Sequence, residues 1–215
     1  MSFLAPETWK LGLLAHRYAR AQPFRHVVMD DVLDDQACAA ITEALGDEDS
    51  RRLVSEIYEV MATGEPLQVA VLAALAASLE SRPVLRAVGA ITDNSELSRA
   101  TMRGYAFGPG HYLLPHADSD EDARRVIAYA LYVQCSTDLE GGELELYAVR
   151  RDERGNTVET EPAGRIVPRA GRLVLFEVSD DSLHAVREVV RGLRVSLSGW
   201  FYTERGRPKD ARGGR

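Results

Sequence analysis

Disulfide frameworks, membrane spans and a basic surface are all missing from this sequence. Its 215 residues include only two cysteines, Cys38 and Cys135, far apart and without metal-type spacing. They read as free, mostly buried thiols in a reducing cytoplasm. No stretch approaches the roughly 20 apolar residues of a membrane helix. No charged n-region followed by an apolar core opens the chain. The formal net charge is −7, which argues against nucleic acid as a general partner. Internal repeats are absent as well. Neither a membrane nor nucleic acid is therefore the expected partner.

What is present suffices for one sizeable core. With 45% hydrophobic residues, a chain of this length needs no disulfide or structural metal to fold. Residues 1–203 read as a single domain. Its first part, 1–92, is mostly helical support, 93–203 is the core, and 204–215 form a basic tail. Helices are expected over 6–22, from Asp34 or Asp35 to about Leu45, around 51–62, over 66–80, and from Pro83 to about Ile91. Phe24 to Met29 reads as a strand. The acidic group Asp30, Asp31, Asp34 and Asp35 is read as turn and cap chemistry.

From Arg99 the period changes to two. Strands are expected near 99–107, 111–116, 126–134, 143–149, 156–160, 164–167, 172–177, 184–189 and 193–202. Gly or Pro punctuates several of the gaps, and the Gly141-Gly142 pair suits a turn or bulge. A helical start followed by this many short strands fits a mainly β fold with helical support, a jelly-roll sandwich.

The chemistry gathers around His116 and Asp118. Residues two apart on a strand share a face, so an imidazole and a carboxylate stand side by side, two of the three ligands of a non-haem metal site. Alone the pair means little, because 5 histidines among 33 acidic residues produce such a pair by chance. A third ligand must come from elsewhere, and His184 is the only later histidine. Beyond it, residues 193–198 (LRVSLS) alternate Leu, Val and Leu with Arg194, Ser196 and Ser198. A half-buried strand with one wet face reads the same way. If Arg194 instead shares an interior with the histidines, it needs an anionic partner. Ala128 and Ala130 share a face with Tyr132, which leaves room for a ligand.

Several segments together carry a resemblance: GPGHYLLPHAD (108–118), RVIAYALY (125–132), GGEL (141–144), PRAGRLVLF (168–176), HAV (184–186) and RVSLSGWF (194–201). More weakly, FRHVVMDDVL (24–33) joins them. In this ordered combination the sequence resembles the iron(II)/2-oxoglutarate-dependent dioxygenases, in their prolyl-hydroxylase-like branch. The resemblance implies a double-stranded β-helix, with Fe(II) held by His116, Asp118 and His184. It implies that Arg194 pairs with the far carboxylate of 2-oxoglutarate, helped by Ser196 and Tyr132, and that O2 is the second cosubstrate. Relatives that halogenate carry Ala or Gly where Asp118 stands, so hydroxylation of an unactivated C–H is implied. The substrate would be an amino acid, a metabolite derived from one, or a prolyl-type peptide residue.

One departure stands out: related enzymes often have Tyr where this chain has Phe107. Tyr105, on the same face, is a candidate replacement. Arg103, Tyr105, Phe107 and His111 are candidate substrate-binding residues, Arg103 for a carboxylate, although Arg103 reads equally as a surface charge paired with an acid. Arg124 and Arg125 read as local balance for the acidic run from Asp118 to Asp122. Two other readings remain. One is a cupin-like metal-binding jelly roll acting as a binding or sensor protein without oxygenase activity. The other is a zinc hydrolase, for which no general base is evident.

Overall fold

A computed structural model describes residues 3–119 and 124–204. A 3-10 turn, Pro6–Thr8, leads into α1 (Leu11–Arg20), β1 (His26–Met29) and α2 (Asp35–Gly46). Next come β2 (Ser50–Val54), β3 (Tyr58–Thr63), α3 (Ala70–Leu79) and α4 (Arg82–Thr92). The remainder is β: β4 (Leu97–Ala100), β5 (Arg103–Phe107), β6 (Tyr112–His116), β7 (Arg125–Cys135) and β8 (Glu140–Gly141). Then follow β9 (Leu144–Arg151), β10 (Thr157–Ile166), β11 (Leu173–Glu177), β12 (His184–Val186), β13 (Val189–Arg191) and β14 (Arg194–Thr203).

The strands form two facing halves. One runs β1-β11-β7-β14-β5-β3, with β2 on the far side of β3, and the other runs β6-β12-β9-β10. β3 joins them, because Met61 and Ala62 pair with β5 while Tyr58 and Glu59 pair with β6. This is the expected mainly β jelly roll. β7 shows how the layers divide. Ile127, Tyr129, Leu131 and Val133 face a core shared with Ile41 of α2, Leu72 and Leu75 of α3, and Val88 and Ile91 of α4. The alternate residues Ala128, Ala130 and Tyr132 face the interior between the sheets, beside Leu144, Leu146 and Phe176. A strand buried on both faces reads as an unbroken apolar run. Among the described residues no helix is long and apolar enough to cross a membrane.

The segment expected as a helix around 51–62 is instead the β2–β3 hairpin. Its apolar residues at 53, 54, 57, 58, 60 and 61 fit a helical stripe, so periodicity misleads here. The edge offered by β5 and β6 decides the outcome, since β structure depends on available partners more than on local preference. Smaller differences are of the same kind. The first helix is shorter than 6–22, the strand near 99–107 divides into β4 and β5, and 184–189 into β12 and β13. The strands expected at 156–160 and 164–167 are one strand, β10, with a register shift between Pro162 and Gly164.

The acidic group near residue 30 behaves as cap and ion-pair chemistry. The Asp34 carboxylate accepts the Ala37 N–H at 2.7 Å. Asp30 accepts from Arg172 Nε at 2.6 Å. The basic tail beyond Glu204 and the acidic run from residue 120 to 122 lie outside the described residues.

Gly141 and Gly142 both adopt left-handed backbone, with φ of 83° and 74°. A Cβ at Gly141 would sit 1.9 Å from the Glu188 carbonyl oxygen. Gly141→Ala is therefore expected to destabilise the protein by roughly 2–3 kcal/mol, from the disfavoured φ and the displaced backbone. Urea denaturation checks this, and a change under about 0.5 kcal/mol, the scatter of neutral surface substitutions, would refute it.

Candidate active site

Pairing between β6 and β12 sets His116 directly opposite His184, and Asp118 follows in the loop after β6. The three donor atoms lie within 4.8 Å of one another. Asp118 Oδ1 is 3.4 Å from His116 Nε2, and Oδ2 is 3.6 Å from His184 Nε2. Each imidazole is turned by its other nitrogen. His116 Nδ1 lies 3.0 Å from the Leu114 carbonyl, and His184 Nδ1 lies 3.0 Å from the Ser182 carbonyl. A carbonyl can only accept, so both Nδ1 atoms carry the proton and both Nε2 lone pairs face the shared point.

The electrostatics favour a cation at that point. Burial disfavours charge on His116, yet the neighbouring Asp118 carboxylate outweighs it and raises its pKa. Burial works against the Asp118 anion too, but both imidazoles hold its pKa below the usual range. Burial pushes His184 down, towards the neutral form that binds metal. With the Nε2 proton of His116 displaced by the metal, two imidazole nitrogens and a carboxylate suit Fe(II), and equally Mn or Zn.

The donors open onto a cavity of about 330 Å³ between the sheets. Arg194, 3% exposed, lines the same cavity. Its Nη1 donates to the Gly142 carbonyl at 2.8 Å and its Nη2 to Ser196 Oγ at 3.2 Å. The guanidinium sits between the rings of Phe107 and Tyr132, 4.7 and 4.9 Å from their centroids. Burial lowers its pKa. Among the described residues it has no carboxylate partner, and Arg194 Nε and the Tyr132 hydroxyl are buried without hydrogen bonds. Buried charges and donors are normally satisfied. This cluster lacks an anion with at least two acceptor oxygens, which a carboxylate provides. The glycine turn takes part directly, because its carbonyl aims the guanidinium.

Arg103, Tyr105 and Phe107 line the cavity together, but His111 does not. The His111 ring closes the turn before β6 instead, with Nδ1 accepting the Gly108 N–H at 3.2 Å. The turn's own geometry holds the ring there, apart from the cavity lining. Arg103 Nε donates to the Thr63 carbonyl at 2.6 Å. No surface acid pairs with Arg103 among the described residues. Burial raises the Tyr105 hydroxyl pKa, tempered by Arg103. The Phe107 ring supports Arg194 by stacking, with Tyr132 on its other side.

Other lining residues lay outside the sequence candidates, among them Leu53, Ile57 and Tyr58 from the hairpin, and Trp200. The hairpin residues were hidden by the helical reading. Trp200 was legible, because it continues the two-residue spacing of Arg194, Ser196 and Ser198. Its buried indole N–H makes no hydrogen bond among the described residues, although it lies near enough to Asp118 to help lower that carboxyl's pKa, and its ring carries the Arg125 guanidinium at 4.1 Å.

Comparison with known proteins places the same residues in context. The profile of the 2OG-Fe(II) oxygenase superfamily matches residues 100–202. A prolyl 3,4-dihydroxylase of Ostreococcus tauri is 43% identical over 103 residues, 44% of this chain and 19% of that protein. A mouse prolyl 3-hydroxylase is 40% identical over 93 residues, 42% of this chain and 16% of that protein. The chain thus spans under a fifth of these relatives. Among solved structures, a Pseudomonas putida prolyl-4-hydroxylase superposes with a TM-score of 0.65 at 21% identity, covering 89% of this chain and 99% of that one. A Burkholderia pseudomallei 2OG-Fe(II) oxygenase family protein gives 0.68 at 12% identity, covering 94% and 96%. At such identities these two likenesses bear on the fold alone.

Proposed function

We propose, from the match of residues 100–202 to the 2OG-Fe(II) oxygenase superfamily profile, that this protein is an Fe(II)/2-oxoglutarate-dependent hydroxylase acting on a prolyl-type residue. The observation that carries the reading is the buried Arg194, without an anionic partner among the described residues, in the same cavity as the His116, Asp118 and His184 donors. A metal-binding jelly roll without oxygenase activity would need the three donors but not the guanidinium. The prolyl assignment follows the stated activities of the two relatives.

Fe(II) with 2-oxoglutarate and O2 supplies the oxidising power to place one oxygen atom in a C–H bond, with succinate and carbon dioxide as coproducts. His116, Asp118 and His184 would hold the metal and leave one side of it open to the cavity. Arg194 would bind the far carboxylate of 2-oxoglutarate as a fork, with Tyr132 donating its hydroxyl and Ser196 keeping the guanidinium in place. Leu144, Phe176 and Val186 wall the space and exclude water. Arg103, Tyr105 and Trp200 line the part left for substrate, and they position the target C–H.

The test is anaerobic reconstitution with Fe(II) and 2-oxoglutarate, followed by oxygen and a screen of amino acids and proline-containing peptides for succinate formation. Substrate-stimulated succinate from a prolyl peptide is the expected result, and none from any candidate would overturn the reading. Arg103 provides a finer test. If it binds a substrate carboxylate or carbonyl, Arg103→Leu raises KM for the substrate about tenfold, the loss of one charged hydrogen bond. The affinity for 2-oxoglutarate stays nearly constant, and uncoupled succinate becomes a larger share of turnover. An unchanged KM would leave Arg103 with only its structural bond to Thr63.

A further inference from the structure

The sheet ends on β2, and this edge differs from the others. β10, the edge of the opposite half, carries Pro162 and two register shifts, devices that discourage a further strand. β1 is only four residues long. β2 has no proline, and its pairing with β3 is regular over five consecutive residues. The Ser55 N–H donates to the Tyr58 carbonyl and the Gly64 N–H to the Asp49 carbonyl, so odd-numbered residues of this segment face β3. In an antiparallel ladder the alternate residues point their backbone groups the other way. The N–H and C=O groups of Ser50, Arg52 and Val54 therefore face outward, and no described residue bonds to them.

This edge adjoins the cavity. Leu53, on β2 itself, lines the cavity together with Ile57 and Tyr58 of the hairpin. Ile57 is 46% exposed and Val54 61% exposed. A strand added beside β2 would lie about 4.8 Å outside Leu53 and would run along the rim.

We infer that β2 is a docking edge for the substrate: a peptide segment flanking the target residue pairs with Ser50, Arg52 and Val54 as an additional strand. The inference rests on the hydroxylase reading and narrows its substrate to an extended peptide segment. Only a chain with free backbone donors and acceptors in extended form satisfies such a ladder. Recognition through it depends little on sequence, while the apolar rim at Leu53 and Ile57 selects an apolar side chain. The continuity between edge and cavity favours a substrate over a second copy of this chain, which would cover the edge without using the cavity.

Arg52→Pro removes one outward N–H and leaves the β3-facing bonds intact, since proline is tolerated at an edge where its missing N–H faces solvent. Arg52→Ala is the reference, because both variants lose the ion pair with Glu59. The probe is a degenerate pool of proline-centred dodecapeptides assayed for succinate formation. Two further pools are N-methylated on one flank or the other.

The expected result is a KM for the pool at least about tenfold higher in Arg52→Pro than in Arg52→Ala. kcat and the Kd for 2-oxoglutarate should match. One of the N-methylated pools should lose turnover with wild-type protein, which keeps the test valid if Arg52→Pro does not fold. Equal KM in two folded variants, or full turnover of both N-methylated pools, overturns the docking edge and leaves the hydroxylase reading standing. Turnover of free amino acids but not of the pool does the same. No stimulated succinate from any substrate sinks both. A dimer in sedimentation that Arg52→Pro dissociates would assign the edge to a second copy instead.

Discussion

Alanine at His116, Asp118 or His184 is expected to abolish substrate-stimulated succinate formation and to weaken Fe(II) binding by more than about a hundredfold. Removing a mere hydrogen-bond partner of a metal ligand already costs 10–100-fold, and here a ligand itself is lost. The loss should be specific. His16, His26 and His111 contribute nothing to the donor cluster among the described residues, so alanine at each should leave Fe(II) affinity within about twofold of wild type, the spread of neutral surface changes. His184→Ala also opens a gap beside Phe176, whose ring centre lies 4.7 Å from the imidazole. A thermal melt of the apoprotein therefore accompanies the titration. A folded His184→Ala variant that binds Fe(II) and turns over like wild type would show that the third ligand lies elsewhere.

Arg194→Leu should separate the cosubstrate from the metal. The guanidinium is buried, and its partners are a carbonyl, a hydroxyl and two rings. With 2-oxoglutarate bound, the distal carboxylate would complete a buried ion pair. Removing one member of such a pair costs roughly 3–5 kcal/mol, mostly from stranding the other charge. The affinity for 2-oxoglutarate should thus fall by about two to three and a half orders of magnitude. Fe(II) binding should persist, because Arg194 is not among the donors. Arg191 is the control. It is exposed, and its neighbours are Asp138 and Glu140 at the surface, so Arg191→Leu should change little. The measurement is anaerobic titration of the Fe(II) protein with 2-oxoglutarate, following the metal-to-ligand charge-transfer band. Wild-type affinity in Arg194→Leu, or no such band in wild type, would remove the ground for an oxygenase.

Arg194 also marks where linear reading stops. In LRVSLS its alternation fits a wet sheet face as well as a binding wall. Burial decides between them, and burial is a property of the whole fold. β14 is central, paired to β7 on one side and to β5 on the other, and near Arg194 both of its faces are covered, Val195 and Leu197 by the helix-backed core and Arg194 and Ser196 across the cavity by the opposite sheet. Besides Ser196, two residues on, the guanidinium donates to the Gly142 carbonyl, 52 positions earlier. Nothing local announces that bond. The Gly141-Gly142 pair was recognisable as a turn, but its task of aiming the guanidinium was not.

Two-residue periodicity in the chain from Arg99 was enough for the strand-rich half and its mainly β class. His116, Asp118 and His184 stood out as candidate donors only through the resemblance carried by several segments together, and the fold brings them within 4.8 Å of one another. Tertiary structure decided the rest. Residues 50–63 became a hairpin because the β5–β6 edge was there to pair with, against a helical spacing of apolar residues. His111 sits apart from the cavity lining because its ring closes the turn after Gly108. Leu53, Ile57 and Tyr58 entered the cavity wall with the hairpin. In each case the deciding partner is distant in sequence or set by backbone geometry, and side-chain pattern along one strand contains neither.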